Sequence, residues 1–135
     1  MAANIKYFVV DSSFVLSALL PDEDSLFATN IFNKFSNGEY CLVSCPLLPY
    51  EIANGIKVAL IRKRIDKVGA ENLVDKFLKL NIKLCEIETM KLFEMAVAEN
   101  LTIYDAAYLL VSRDTNHPLL SLDKHLKGYS SGFSL

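Results

Sequence analysis

Four carboxylates stand out by type and placement: Asp11, Glu51, Asp105 and Asp123. Each falls where an apolar run gives way to a helix, or in the first turns of a helix. Asp11 ends Tyr7-Phe8-Val9-Val10, and Glu51 lies early in the helical stretch after Tyr40-Cys41-Leu42-Val43. Asp105 follows Leu101-Thr102-Ile103-Tyr104, and Asp123 follows Pro118-Leu119-Leu120-Ser121-Leu122. Gathered in one place, such acids repel; two unit charges 4 Å apart cost ~4 kcal/mol at an effective dielectric of ~20. They are strained or partly protonated unless a cation compensates them. An all-oxygen donor set favours Mg²⁺ or Mn²⁺, one ion or two, over Zn²⁺. Such an ion shares its coordination sphere between substrate phosphate and water, and a bound water of lowered pKa becomes a nucleophile. The chemistry that fits is metal-assisted hydrolysis of a phosphodiester.

Other chemistries fit poorly. No histidine adjoins a Ser or Cys in a nucleophile-like context, and five glycines form neither a phosphate loop nor a dinucleotide fingerprint. The three cysteines, Cys41, Cys45 and Cys85, make no zinc pattern with His117 and His125, which read as surface residues. An odd, scattered cysteine set and no signal peptide point to reduced thiols and the cytoplasm. No apolar run approaches a membrane span.

Positioning the acids is the task of the elements around them. Ile5–Val10 reads as a buried strand, followed by a helix over Ser13–Leu20 that Pro21 ends. A second helix is expected over Asp22–Phe35, its acidic start (Asp22, Glu23, Asp24) suiting the positive helix N-terminus, with Asn37-Gly38 as its stop. Tyr40–Val43 is a second strand. Helices follow over Leu47–Arg62 and Asp66–Leu80, then a strand over Ile82–Ile87 and a helix over Glu88–Glu99. The next helix, Ile103–Ser112, is apolar nearly all round, which marks it as buried at the centre; Thr102 and Asp105 form a capping-box-like pair at its start. Leu119–Ser121 is a strand and Asp123–Lys127 a short closing helix. Strands alternating with helices give an α/β fold with a parallel sheet and helices on both faces. Ligands bind at the carboxyl edge of such a sheet, and chain order brings all four acids to that edge.

Composition agrees. A chain of 135 residues with 52% hydrophobic and 22% charged residues is enough for one compact domain, 1–135. A net charge of −2 does not advertise a nucleic-acid binder, yet a local basic patch can act within a neutral total. The densest basic stretch is Arg62, Lys63, Arg64 and Lys67, with Lys57 one face earlier. It is either a solvated helix junction or a phosphate-contacting rim beside the acids, a role open to Lys124 and Lys127 as well. Phe14, Leu16, Leu19, Phe27, Ile31 and Phe35 supply core, and any remainder a partner surface. Each acid has a plainer reading too. Asp11 and Asp123 could be N-caps, and Asp105 could compensate a helix dipole. Their joint placement on one edge, and the cost of an idle charge before an apolar helix, favour the metal site. Ser121 reads as a hydrogen-bond donor, or as a plain polar strand end, rather than a nucleophile.

The ordered motifs resemble the PIN-domain ribonucleases, above all the small VapC-type toxins of toxin–antitoxin pairs. Val10-Asp11-Ser12-Ser13-Phe14 closes the first strand, and Tyr50-Glu51-Ile52-Ala53-Asn54 follows the second. Thr102-Ile103-Tyr104-Asp105-Ala106-Ala107-Tyr108 matches the family's T-x-x-D-A-x-Y pattern, and Ser121-Leu122-Asp123 resembles its T-x-D with Ser for Thr. The resemblance implies a three-layer α/β/α fold with a four- to five-stranded parallel sheet, the short tail Gly128–Leu135 bearing on the fifth strand. It further implies a Mg²⁺- or Mn²⁺-dependent endoribonuclease, an RNA substrate, a homodimer, and an antitoxin that lays a helix over the active site. By position, Asp11, Glu51, Asp105 and Asp123 become its acidic quartet, and Ser13 and Ser121 its supporting hydroxyls. Two rivals are a catalytically silent PIN-like module that binds RNA or protein, and a phosphoacceptor domain; the latter needs an aspartate ending a central strand with a lysine opposite, whereas Asp105 sits on a helix.

Overall fold

The structure, a computed structural model, describes residues 4–23 and 25–130. Its elements, in order, are β1 (Lys6–Val10), α1 (Ser12–Leu19), α2 (Leu26–Ser36), β2 (Tyr40–Ser44), α3 (Leu48–Ile61) and α4 (Lys67–Lys79). There follow β3 (Lys83–Leu84), α5 (Thr89–Glu99), α6 (Ile103–Thr115), β4 (Leu119–Leu120) and α7 (Lys127–Ser130). The strands form one sheet in the order β3-β2-β1-β4, every pairing parallel. This is the expected three-layer α/β/α, PIN-like fold. Among the described residues the sheet has four strands; residues 131–135, which bear on a fifth, lie outside them. No described helix is long and apolar enough to cross a membrane.

The sheet is covered on both faces, as an all-parallel sheet must be. Phe8, Val9 and Val10 of β1 and Leu42 and Val43 of β2 are buried without alternation. Helix α6 packs on β1 and β4, and α2 on β2. Six successive α6 residues, Ala106 to Val111, are buried, so the reading of a central helix holds. Phe14, Leu19 and Ile31 belong to the core, with Leu16 and Phe35 packed against it, while Phe27 keeps much of its ring exposed.

The strand order puts a switch point between β1 and β4. From β1 the chain moves to β2 on one side and returns through β4 on the other, which opens a crevice at the carboxyl ends of these two strands. Asp11 leaves β1 there and Asp123 follows β4 there. Helices α3 and α6 also begin at this edge, with Glu51 and Asp105 in their first turns. Helix α3 comes close to α1 because Gly55 has no side chain; a Cβ there would stand 2.5 Å from Leu16 Cδ1.

Several boundaries differ from the sequence reading, each for a local reason. Helix α2 starts at Leu26, not Asp22, because Ser25 caps it by accepting from Ala28 N at 3.1 Å, while Asp22 and Glu23 turn to Arg64; Asp24 lies outside the described residues. β3 is two residues long rather than six, an exposed edge strand of the kind proteins keep short. Helix α6 runs past Ser112 to Thr115 and stops at Asn116, whose left-handed backbone (φ 55°) closes it. Asn81 and Asn100 end α4 and α5 in the same conformation. The expected closing helix at Asp123 is instead a turn: Asp123 accepts from His125 N at 2.8 Å through its own side chain, and α7 begins only at Lys127. His117 is half-buried rather than a surface residue, its ring stacked on Tyr7 at 4.8 Å.

Candidate active site

Asp11 is the most enclosed of the four acids, 2% exposed. It is both an N-cap and a member of the cluster. Its Oδ1 accepts from Phe14 N at 2.9 Å, capping α1, and from the Ser13 hydroxyl at 2.7 Å. Its Oδ2 accepts from the Ser121 hydroxyl. The two serines are tied in turn to the loop after β4. Ser13 Oγ accepts from Leu122 N, and Ser121 Oγ from Asp123 N, both at 3.0 Å. Both hydroxyls thus point their protons at Asp11 and take backbone N–H groups behind them, so the backbone of Asp123 is tied to the Asp11 carboxylate through the Ser121 hydroxyl.

Glu51, half-buried in the first turn of α3, is held from two sides. Its Oε1 accepts from the Ser12 hydroxyl at 3.1 Å and from the Tyr108 phenol. Burial first, and the bond to Glu51 second, push the Tyr108 phenol far above its usual range, so it remains a donor. The buried Cys45 thiol also stands near Glu51; burial pushes it up to about 11, which makes it neither a thiolate nucleophile nor a ready metal ligand.

The electrostatics record the crowding. The carboxyl of Asp11 is raised above the ordinary range, chiefly by burial and in part by the charge of Asp123, against the lowering effect of its three hydrogen bonds. That of half-buried Asp105 is raised by desolvation first, then by Asp123 and by Glu51, with Thr102 and His125 acting in the opposite sense. Asp123 therefore acts on acids to both sides of it, and Glu51 acts on Asp105. These are the couplings expected of negative charges brought to one edge without a counter-cation.

Among the described residues no three acidic, histidine or cysteine side chains close into a ready-made cage for an ion. That is compatible with a hydrated Mg²⁺ or Mn²⁺, which retains several waters and takes only one or two carboxylates directly. The donors at this edge are carboxylate and hydroxyl oxygens, the chemistry these ions prefer. Thiolate and imidazole ligands of the zinc type are not assembled here.

The basic residues distribute differently from the sequence reading. Arg62 follows the end of α3, eleven residues after Glu51 and so about 16 Å along the helix axis from it; Lys63 and Arg64 lie beyond it. The Arg64 guanidinium is occupied by Asp22, through two bonds of 2.6 Å, and by Glu23 at 3.2 Å. Arg64 lines a cleft of about 400 Å³ together with Ser13, Glu23 and Leu122. Lys124, exposed, directly follows Asp123. The supporting residues that sequence reading overlooked are Ser12 and Tyr108. Sequence shows only that Tyr108 follows Asp105 by three residues and so shares its helix face.

No family model matches the chain. Over 122 residues it is 28% identical to Ribonuclease VapC3 of Pyrobaculum aerophilum, a match that spans 87% of this chain and 90% of the relative. The crystal structure of PAE2754 from Pyrobaculum aerophilum is similar in fold, with a TM-score of 0.74 and 23% identity over 94% of this chain and 81% of that one. Ordered acids, sheet topology and these two likenesses agree, and the resemblance to the VapC-type PIN-domain ribonucleases stands in both sequence and fold.

Proposed function

We propose that this chain is a metal-dependent endoribonuclease that hydrolyses RNA phosphodiester bonds as the toxin of a toxin–antitoxin pair. One observation carries the reading. Asp11, Glu51, Asp105 and Asp123 come from separate parts of the chain to one sheet edge, where the carboxyls of Asp11 and Asp105 are raised by burial first and by the charge of Asp123 in addition. The likeness to a protein named a ribonuclease supports RNA as the substrate; an antitoxin partner and a homodimer are what the resemblance to the toxin family implies.

In this reading Asp11, Asp105 and Asp123 would hold Mg²⁺ or Mn²⁺, with Glu51 completing the set. The ion, when bound, supplies Lewis-acid polarisation of the phosphate and a water of lowered pKa. The chain supplies the geometry. Ser13 and Ser121 keep both oxygens of Asp11 fixed. Ser12 and Tyr108 do the same for one oxygen of Glu51. Lys124, next to Asp123 and exposed, would draw in a phosphate, while Arg62, Lys63 and Arg64 would meet RNA farther from the scissile bond.

The test is cleavage of a mixed RNA pool by the full chain with Mn²⁺, with Mg²⁺ and with a chelator. Cleavage that needs the ion and disappears in Asp11→Asn supports the assignment. RNA that is bound yet never cut under any of these conditions overturns it in favour of a silent binding module.

A further inference from the structure

The hydrogen bonds around Glu51 carry a consequence for how that acid can act. A carboxylate oxygen has two lone-pair sites. On Oε1 of Glu51 both are taken, one by the Ser12 hydroxyl at 3.1 Å and one by the Tyr108 phenol. Only Oε2 is left for anything else. The two donors differ in kind. Ser12 opens α1, directly after Asp11. Tyr108 is 2% exposed and belongs to the buried core, so its hydroxyl has a fixed address.

Helix α6 therefore does two things with one face. Asp105 and Tyr108, three residues apart, lie on the same side. The first contributes a carboxylate to the cluster and the second restrains a carboxylate belonging to α3. Glutamate is longer and more mobile than aspartate, and the carboxylates of Asp11 and Asp123 accept from backbone N–H groups two or three residues on. Glu51 has no such local restraint among its described bonds; it is steered from α1 and α6.

Resting on the metal-nuclease reading, we infer that Tyr108, assisted by Ser12, is a positioning residue that turns Glu51 so that Oε2 alone faces the divalent-cation site. Groups that orient a metal-binding side chain in this way commonly govern affinity by about 10- to 100-fold.

The experiment uses the full chain and Mn²⁺ alone, with binding followed by the loss of the free-ion EPR signal and folding by the metal-free unfolding midpoint. Tyr108→Phe removes only the hydroxyl. It is expected to weaken Mn²⁺ binding about tenfold or more, with a midpoint close to that of the parent. Ser12→Ala acts on the same oxygen from outside the core and is expected to weaken binding in the same direction; it carries the test should Tyr108→Phe fold poorly. In a Glu51→Gln background Tyr108→Phe is expected to add nothing, because residues acting through one group are not additive. Unchanged Mn²⁺ binding in both single variants, or a full extra loss in the Glu51→Gln background, overturns the inference. A parent chain that binds no Mn²⁺ and cuts no RNA overturns the nuclease reading and this inference together. A parent that does both while Tyr108→Phe and Ser12→Ala each match it overturns the positioning role alone.

Discussion

The hydroxyl of Ser121, just past β4, donates to Oδ2 of Asp11, which ends β1 110 residues earlier. The same serine oxygen accepts from Asp123 N at 3.0 Å. One small side chain thus sets the spacing of two acids across the switch point of the sheet. Ser121→Ala leaves a buried carboxylate oxygen and a backbone N–H short of a partner. Loss of about 1–3 kcal/mol of stability is expected, read as a lower urea midpoint with an unchanged slope. Ser121→Thr keeps the hydroxyl and should recover most of that loss; an alanine variant as stable as the parent would contradict this role.

The pH dependence of stability follows from the two raised carboxyls. Asp11 and Asp105 hold protons more tightly in the fold than in the unfolded chain. Their contribution is complete below the unfolded value, about 3.9, and is lost as pH rises through the higher folded value. Asp22 and Glu99, lowered by Arg64 and by Tyr129 respectively, work the other way, losing their contribution as pH falls through their depressed values. The metal-free protein is therefore expected to gain stability from these two groups as pH falls from neutrality through their raised values. With Mn²⁺ present the trend should reverse, since protonation of the same acids competes with the ion. Parallel melting curves with and without Mn²⁺ across that window would count against the assignment.

Asp105→Asn separates function from stability. Asparagine keeps the size of the side chain and the Thr102 cap, which uses the backbone N–H of residue 105. It removes a charge that faces Asp123 and Glu51. The variant should lose cleavage and yet, without metal, unfold at a slightly higher temperature than the parent. A clear fall in the metal-free midpoint would show that Asp105 serves the fold instead.

Lys124 and the α3 terminus should differ in what they do to RNA binding. In a cleavage-dead Asp11→Asn chain, Lys124→Ala is expected to reduce the salt dependence of RNA affinity by about one unit of slope, the mark of one phosphate contact. Arg64→Ala should do less, because its guanidinium is already committed to Asp22 and Glu23. Salt titration of a labelled RNA decides between them.

How far the site could be read from sequence depends on whether the signal was local. Asp11 and Asp123 end apolar runs, and Asp105 opens an all-apolar helix, so chain order alone carried them to one edge. The central place of α6 was legible for the same reason. The partnership of Tyr108 with Glu51 was not: it spans 57 positions, and a tyrosine inside an apolar stretch reads as core. Edge strand β3 is shorter than its pattern suggests: Ile82 to Ile87 looks strand-like, while only Lys83 and Leu84 pair in register with β2 and Cys85 adds one further bond, to Ser44 O. The start of α2 was misplaced because acidic residues that suit a helix N-terminus went to a distant arginine instead.

The central claim is that folding gathers four acids into a site that cuts RNA only with a hard divalent ion. The most direct measurement is single-turnover cleavage of RNA by the full chain against its Asp11→Asn and Asp105→Asn variants, with Mn²⁺ titrated from zero. Cleavage that rises with Mn²⁺ in the parent and is absent from both folded variants is the expected result. Cleavage without metal, or retained by either variant, would contradict it.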